Sequence, residues 1–232
     1  MKIICLLIVG VLTISSCSSK KGTITEFERV LGQENSETLT YLVQDFENDF
    51  LANEFPNLEI DEAYRQFILE LRDGKNHVWR KISKNSKNLF SKSALRYEIY
   101  SVPDSVWIEY DKNNLTSSLK VIPVLKIRRK SLQQDGTFLY GVTESIFSYK
   151  EPINEDSIVK KYMNYVDVNF VGSYIRALNS IPNKSPFLKN YIESRNAAGL
   201  LSPIIIVNRM LSSNVDFNDY FIKRLIITEI AY

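Results

Sequence analysis

Apolar side chains three and four residues apart constrain the fold of this chain more than any other feature. Leu39, Leu42, Val43, Phe46 and Phe50 recur at those intervals, which on a helix places them in one stripe that has to be buried. A second stripe follows in Tyr64, Phe67, Ile68 and Leu71. Between the two, Phe55-Pro56 ends the first helix, because proline disfavours helical geometry in the residue before it. Thr25 and Glu28 have capping-box spacing, which predicts a helix start there. Asp61 is expected to cap the second helix and Gly74 to stop it. Ser86 to Tyr97 predicts one more helix.

The period changes between Ser101 and Lys150. Val106, Ile108 and Tyr110 alternate, as do Val121, Pro123, Leu125 and Ile127, and then Phe138, Tyr140 and Val142. Alternation predicts strands, and Asp135-Gly136 is suited to a turn between two of them. Pro123 lacks a backbone donor, so its strand is expected at a sheet edge or at a bulge. The segment reads as a small β-meander, with short helices as the alternative.

Helix returns afterwards. Ser157 to Val166 is expected to be helical, with a break marked by Asp167, Asn169 and Gly172, and Tyr174 to Ile181 resumes the pattern. Ser185-Pro186 and Ser202-Pro203 each join a favourable N-cap to a residue suited to the first helical turn. The first of these helices should stop at Gly199 and the second near Ser212-Ser213-Asn214. Asp216 is expected to cap a final helix, apolar from Leu225 to Ile230. The fold class is therefore mainly α, a helical bundle-like single domain over 24–232 with a small β-meander or irregular insertion around 101–150. Leu42, Phe46, Phe50, Tyr64, Phe67, Leu71, Tyr174, Leu178, Leu188, Ile192, Ile206 and Leu225 are expected to share one core.

Composition agrees with a packed interior: 44% of residues are hydrophobic and 12% aromatic, well outside the disordered range. Chemistry is narrowed by what is scarce. The two cysteines are Cys5 and Cys17, so a chain cut before Cys17 has no disulfide to staple it. His77 is the single histidine; a Ser-His-Asp triad would depend on it, and a multi-histidine zinc site is excluded. The plainer reading of His77 is a surface or structural residue. No cofactor and no metal site are expected.

The first seventeen residues carry an address. Lys2 precedes the apolar run Ile3 to Leu12, followed by Ile14-Ser15-Ser16-Cys17. The run is too short for a transmembrane helix but suits a secretory signal. Its last four residues resemble the bacterial lipobox, in which the cysteine is lipidated and becomes the new N-terminus. The expectation is a signal peptide over 1–16, lipidation of Cys17 (a palmitate-type acyl anchor) and a flexible tether over 17–23. An ordinary cleaved signal, with Cys17 incidental, is the plainer alternative. The implied setting is the bacterial cell envelope, lipid-anchored in the outer membrane with the domain in the periplasm.

Three stretches carry a further likeness: Asn169-Phe-Val-Gly-Ser-Tyr-Ile-Arg-Ala-Leu178, Tyr191-Ile-Glu-Ser-Arg-Asn-Ala-Ala-Gly199 with Ser202-Pro203, and Asp219-Tyr-Phe-Ile-Lys-Arg-Leu225. They resemble the C-terminal half of uncharacterised lipoproteins from Bacteroidota, over about sixty residues of this chain. The resemblance implies an envelope setting and brings no activity with it.

Charge is uneven although the net value is only +2. From Ile24 to Glu62 there are eleven acids and one base, Arg29; from Lys75 to Tyr97 there are seven bases and no acid, and from Lys112 to Lys130 six bases and no acid. Arg80, Lys81, Lys84, Lys87, Lys126, Arg128, Arg129 and Lys130 are accordingly candidates for binding anionic lipid or acidic glycan. The plainer reading is that these bases offset the acidic helices or lie on solvated faces. Nucleic acid is not an expected partner.

Other patterns are weaker. Asp45, Glu47 and Asp49 alternate as in a calcium loop, but Phe50 and Pro56 stand where an EF-hand needs glycine and glutamate. Ser117 and Lys120 have Ser-x-x-Lys spacing without the companion motifs. Trp79 and Trp107 could form a sugar platform, although core positions are commoner. Asp104-Ser105-Val106 and Asp156-Ser157-Ile158 look like short O-glycosylation sequons. Taken together the residues favour a lipid-anchored binding or structural module, with membrane contact through the anchor and an envelope protein or glycan as partner. The alternatives are a polyanion binder using 75–97 and 112–130, and a carboxylate-dependent glycan-processing enzyme.

Overall fold

The computed structural model describes residues 21–75, 82–115, 121–146 and 154–232. Residues 1–20, Cys17 among them, and His77, Trp79, Arg80, Lys81, Ser117 and Lys120 lie outside the described residues. The protein is mainly α with one small antiparallel sheet. Within the expected 24–232 span the chain divides into two compact units. One comprises the chain up to Arg96 together with Ser173–Tyr232, and the other is Tyr97–Gly172.

The first unit is helical. Helix α1 covers 21–31, and Gly32, at φ 89°, turns the chain into α2, Gln33–Asp45. The helix continues as a π-helical stretch, Phe46–Leu51, and a last turn, Ala52–Glu54. Helix α3 is Ile60–Arg72, α4 is Lys84–Lys92 and α5, Ala94–Ile99, leads out of the unit. The chain returns through α7, Ser173–Ser180, α8, Pro186–Ala198, α9, Pro203–Ser212, and α10, Tyr220–Ile226, which ends in π turns over Ile227–Ala231.

All twelve residues expected in the core are buried here, none more than 4% exposed. Phe46 is at the centre of an aromatic group: its ring lies 5.0 Å from Phe50, 5.6 Å from Tyr64 and 5.2 Å from Phe67. Phe27 plays the same part against Phe221 at 5.4 Å and Tyr174 at 6.4 Å. The interior also holds a charged pair, Arg195 with Glu229, whose side chains are 1% and 2% exposed. Tyr191 accepts from Arg195 at 2.9 Å, so the buried guanidinium has a neutral partner beside its carboxylate, as burial of charge requires.

Several expected helix starts move. Thr25 lies within α1 and its hydroxyl donates to the Lys21 carbonyl at 3.0 Å, the back-bond that Ser and Thr make inside helices, so it caps nothing. Glu59, not Asp61, occupies the N-cap of α3, with no side-chain cap. The helix expected from Ser86 starts two residues earlier, capped by Ser83, and breaks at Ser93. Asp219 caps α10 through bonds from Phe221 and Ile222 N–H at 2.8 and 3.2 Å. Asp216 instead accepts from Asn218 N–H in a turn. Ser185 caps α8 as expected, and Gly199, at φ 76°, ends it.

The second unit holds the sheet. Strands β1, Tyr100–Leu115, β2, Val121–Leu132, β3, Phe138–Ile146, and β4, Asp167–Val168, lie in the order β3-β2-β1-β4 with antiparallel neighbours. Among the described residues of 101–150, strands thus form where period two predicts them, and short helices do not. Asp135-Gly136 makes the β2–β3 turn: Gly136 adopts φ 82°, and Asp135 accepts from the Thr137 hydroxyl at 2.7 Å and its N–H at 2.9 Å. Those bonds, the hydroxyl first, hold the Asp135 carboxyl below its usual range.

Pro123 departs from expectation, since β2 is an inner strand and the irregularities of β1 lie at Pro103/Ser105 and Asp111/Leu115. Among the described residues β2 pairs with β3 from Val124 onward, opposite Ile146, and Pro123 pairs with Tyr110 of β1. Helix α6, Glu155–Tyr162, capped by Asn154 rather than Ser157, supplies Ile158, Val159 and Tyr162 to a small core with Val106, Ile108, Leu125 and Ile127.

Candidate functional site

Antiparallel register decides what the sheet presents. Residues opposite each other share a face, so Trp107, Lys126 and Glu144 form one row and Ser105, Arg128 and Val142 another. Val106, Ile127 and Thr143 belong to the opposite face, which α6 covers over β1 and β2. All nine residues of β3 are exposed. Among the described residues β3 pairs with β2 alone.

This edge is apolar. Phe138 is 40% exposed, Tyr140 53%, Val142 51% and Ile146 66%, all on the Trp107 face, while Leu139 on the other face is 61% exposed. Single exposed apolar residues are ordinary, but a contiguous row on an edge strand is not. Glu144 is the one charged residue of β3, and the strand has no lysine or proline of the kind that guards natural sheet edges.

The bases behind that row are occupied. Lys126 Nζ lies 2.5 Å from Glu109 and 3.0 Å from Glu144, and these bonds raise its pKa. Arg128 is paired with Asp104, the extra residue at the β1 irregularity, with Nε donating at 2.7 Å. The Arg128 guanidinium also lies over the Tyr140 ring at 5.8 Å. Lys130 stands over Tyr97 at 4.8 Å and Phe138 at 5.3 Å. Arg129, one residue on, falls on the other face and donates to the Thr143 hydroxyl at 2.7 Å. Strand alternation thus splits the basic run 126–130 between two faces, and its members serve the sheet. Lys84 and Lys87 lie on α4 in the helical unit.

The helical unit offers a second candidate, an open groove of about 660 Å³ along α1 and α2 lined by Thr25, Glu28, Arg29, Glu37, Thr40 and Tyr41 among others. It gathers two acids that the sequence does not single out as a pair. Glu28 accepts from the Tyr220 hydroxyl at 2.7 Å and Glu37 from Gln33 at 2.9 Å. Glu28 is half-buried and Glu37 exposed.

Two of the alternating acids have separate partners: Asp45 accepts from Ser86 at 2.5 Å and Glu47 pairs with Lys223 at 2.7 Å. Among the described residues no three His, Cys, Asp or Glu side chains are grouped to hold a metal ion, and no helix is long and apolar enough to cross a membrane. Trp107 is 37% exposed on the β3-bearing face, while Trp79, its expected partner in a sugar platform, lies outside the described residues. No protein-family model, curated protein or solved structure matches this chain.

Proposed function

We propose that this chain is a lipid-anchored protein of the bacterial cell envelope that acts by binding rather than catalysis, with β3 as its contact strand. The observation that carries the binding part is the nine-residue edge strand, exposed along its whole length and apolar at Phe138, Tyr140, Val142 and Ile146. A strand of this kind offers main-chain donors and acceptors to an added strand and side chains to its pockets. The anchoring part rests on Ile14-Ser15-Ser16-Cys17 behind an apolar run. Lipidation there supplies more than one acyl chain, which stable anchoring needs, and sets the domain in the periplasm at the outer membrane.

A polyanion-binding role draws less support, because Lys126 and Arg128 already hold carboxylates and Arg129 faces away from both. The test of the proposal has two arms in cells carrying the full chain. Cys17→Ala should abolish labelling by a fatty-acid analogue and release the chain from membranes. Tyr140→Lys with Val142→Lys should keep the chain in the membrane fraction but remove its crosslinked envelope adducts. Labelling that survives Cys17→Ala would refute the anchor, and adducts that survive the double lysine variant would refute the strand.

A further inference from the structure

We propose that the occupant of the β3 edge is the β3 strand of a second copy of this chain, added antiparallel across a two-fold axis at Val142. This inference rests on β3 being the contact strand and names what it contacts. Two identical edges can pair only if residues facing each other lie on the same face of the sheet, which in an antiparallel pair requires a residue opposite itself.

Five centres on β3, Tyr140 to Glu144, meet that condition with at least half of the strand paired, and overlap and charge choose among them. Centring on Gly141 or Thr143 leaves two of the nine residues unpaired. Centring on Tyr140 pairs only the first half of the strand. Centring on Glu144 sets like charges face to face, which is destabilising. Centring on Val142 pairs the whole of Phe138–Ile146: Phe138 meets Ile146, Val142 meets Val142, and Glu144 meets Tyr140. In this register the only charge on the strand arrives beside the ring that lies under Arg128, at 5.8 Å in each copy. Glu144, held by Lys126 in its own copy, thus faces a ring beneath the other copy's Arg128, itself held by Asp104, and not a second Glu144. The apolar row of each edge is continued by that of its partner, so the sheets join into one of twice the width, with the main-chain groups of both edges satisfied.

Position-specific crosslinking in the envelope of cells expressing the full chain tests this. Opposed residues in an antiparallel pair have Cα atoms about 4.5–5.5 Å apart, within disulfide reach. At Tyr140 the two copies would be four residues out of step, roughly 13 Å apart at the strand rise. Mild oxidation should therefore give a disulfide-linked species of twice the chain mass for Val142→Cys and not for Tyr140→Cys or the unaltered chain. Phe138→Cys and Ile146→Cys should link to each other when co-expressed, and neither to itself. Equal crosslinking at 140 and 142, or none at 142, would overturn the pairing. A photo-crosslinking amino acid at Val142 separates the remaining cases. An adduct of twice the chain mass supports the second copy. An adduct with a different protein overturns the second copy and leaves β3 as a binding strand, and no adduct at all overturns both.

Discussion

Asn169 donates through Nδ2 to the carbonyl of Leu132, the last residue of β2, at 2.8 Å. The same amide reaches the Tyr97 carbonyl at 2.9 Å, its Oδ1 accepts from Val171 N–H at 3.1 Å, and its backbone N–H donates to Ile99. One side chain, 2% exposed, thus ties the entry of β1, the exit of β2 and the chain after β4 together. Gly172 completes the junction, because a Cβ there would meet the Glu98 carbonyl oxygen at 2.0 Å.

Asn169→Leu keeps the branched heavy-atom skeleton but removes the amide's donors and its acceptor, leaving the Tyr97 and Leu132 carbonyls and the Val171 N–H short of a partner. Each buried orphan costs about 1–3 kcal/mol, so the variant should lose stability in that range or somewhat above it. Urea unfolding followed by a probe within 97–172 measures it. A loss below about 0.5 kcal/mol, typical of a surface change, would mean the amide does not organise the sheet.

The helical core gives a sharper contrast. Phe46 and Phe67 are fully buried with rings 5.2 Å apart, and truncating either to alanine should cost about 3–5 kcal/mol. Leu89, on the same unit, is 42% exposed, and Leu89→Ala should stay within about 0.5 kcal/mol. Chemical denaturation of the three variants compares them. Similar losses for all three would place the core elsewhere.

Alkali should unfold the chain through its tyrosines. Burial pushes the phenols of Tyr64, Tyr174 and Tyr191 above the ordinary tyrosine range, and burial pushes Tyr232 up to about 12. Unfolded tyrosines release their protons near about 10, while the native ones keep them. The native state then binds more protons, so stability is fully present below that value and falls as pH rises above it. For Tyr232 the loss falls between about 10 and about 12. Tyrosinate absorbance against pH, alongside equilibrium unfolding, should show these phenols ionising only with unfolding, and Tyr174→Phe should flatten the slope. Complete tyrosine ionisation with the fold intact would contradict it.

Much of the helical unit was legible because burial and helical period coincide: the stripes through Leu42, Phe46, Tyr64 and Phe67 name its core directly. Caps are less legible. Capping-box spacing at Thr25 and Glu28 is a local pattern that a residue inside a helix can also satisfy, and Asp216 and Asp219 are both able to close a turn. The candidate site was half legible. Alternation at Phe138, Tyr140 and Val142 marked the strand, but strand order is set by distant pairing, so the sequence carries no local sign that β3 is an edge or that α6 leaves it uncovered. The basic run 126–130 misled for a related reason, since its bases alternate between faces and meet acids from β1 and β3. Asn169 read as a break in the helical pattern, because its bonds go to residues far away in the chain.

Backbone hydrogen exchange along β3 tests the central claim most directly. Amides of Phe138–Ile146 that face away from β2 have no partner among the described residues, and such amides exchange rapidly when exposed. The chain should be compared at low and at high protein density. Pairing of two β3 edges predicts that alternate amides of 138–146 become protected as density rises, while the helical core at Phe46 and Phe67 exchanges at an unchanged rate. Rapid exchange of those β3 amides at every density would contradict it.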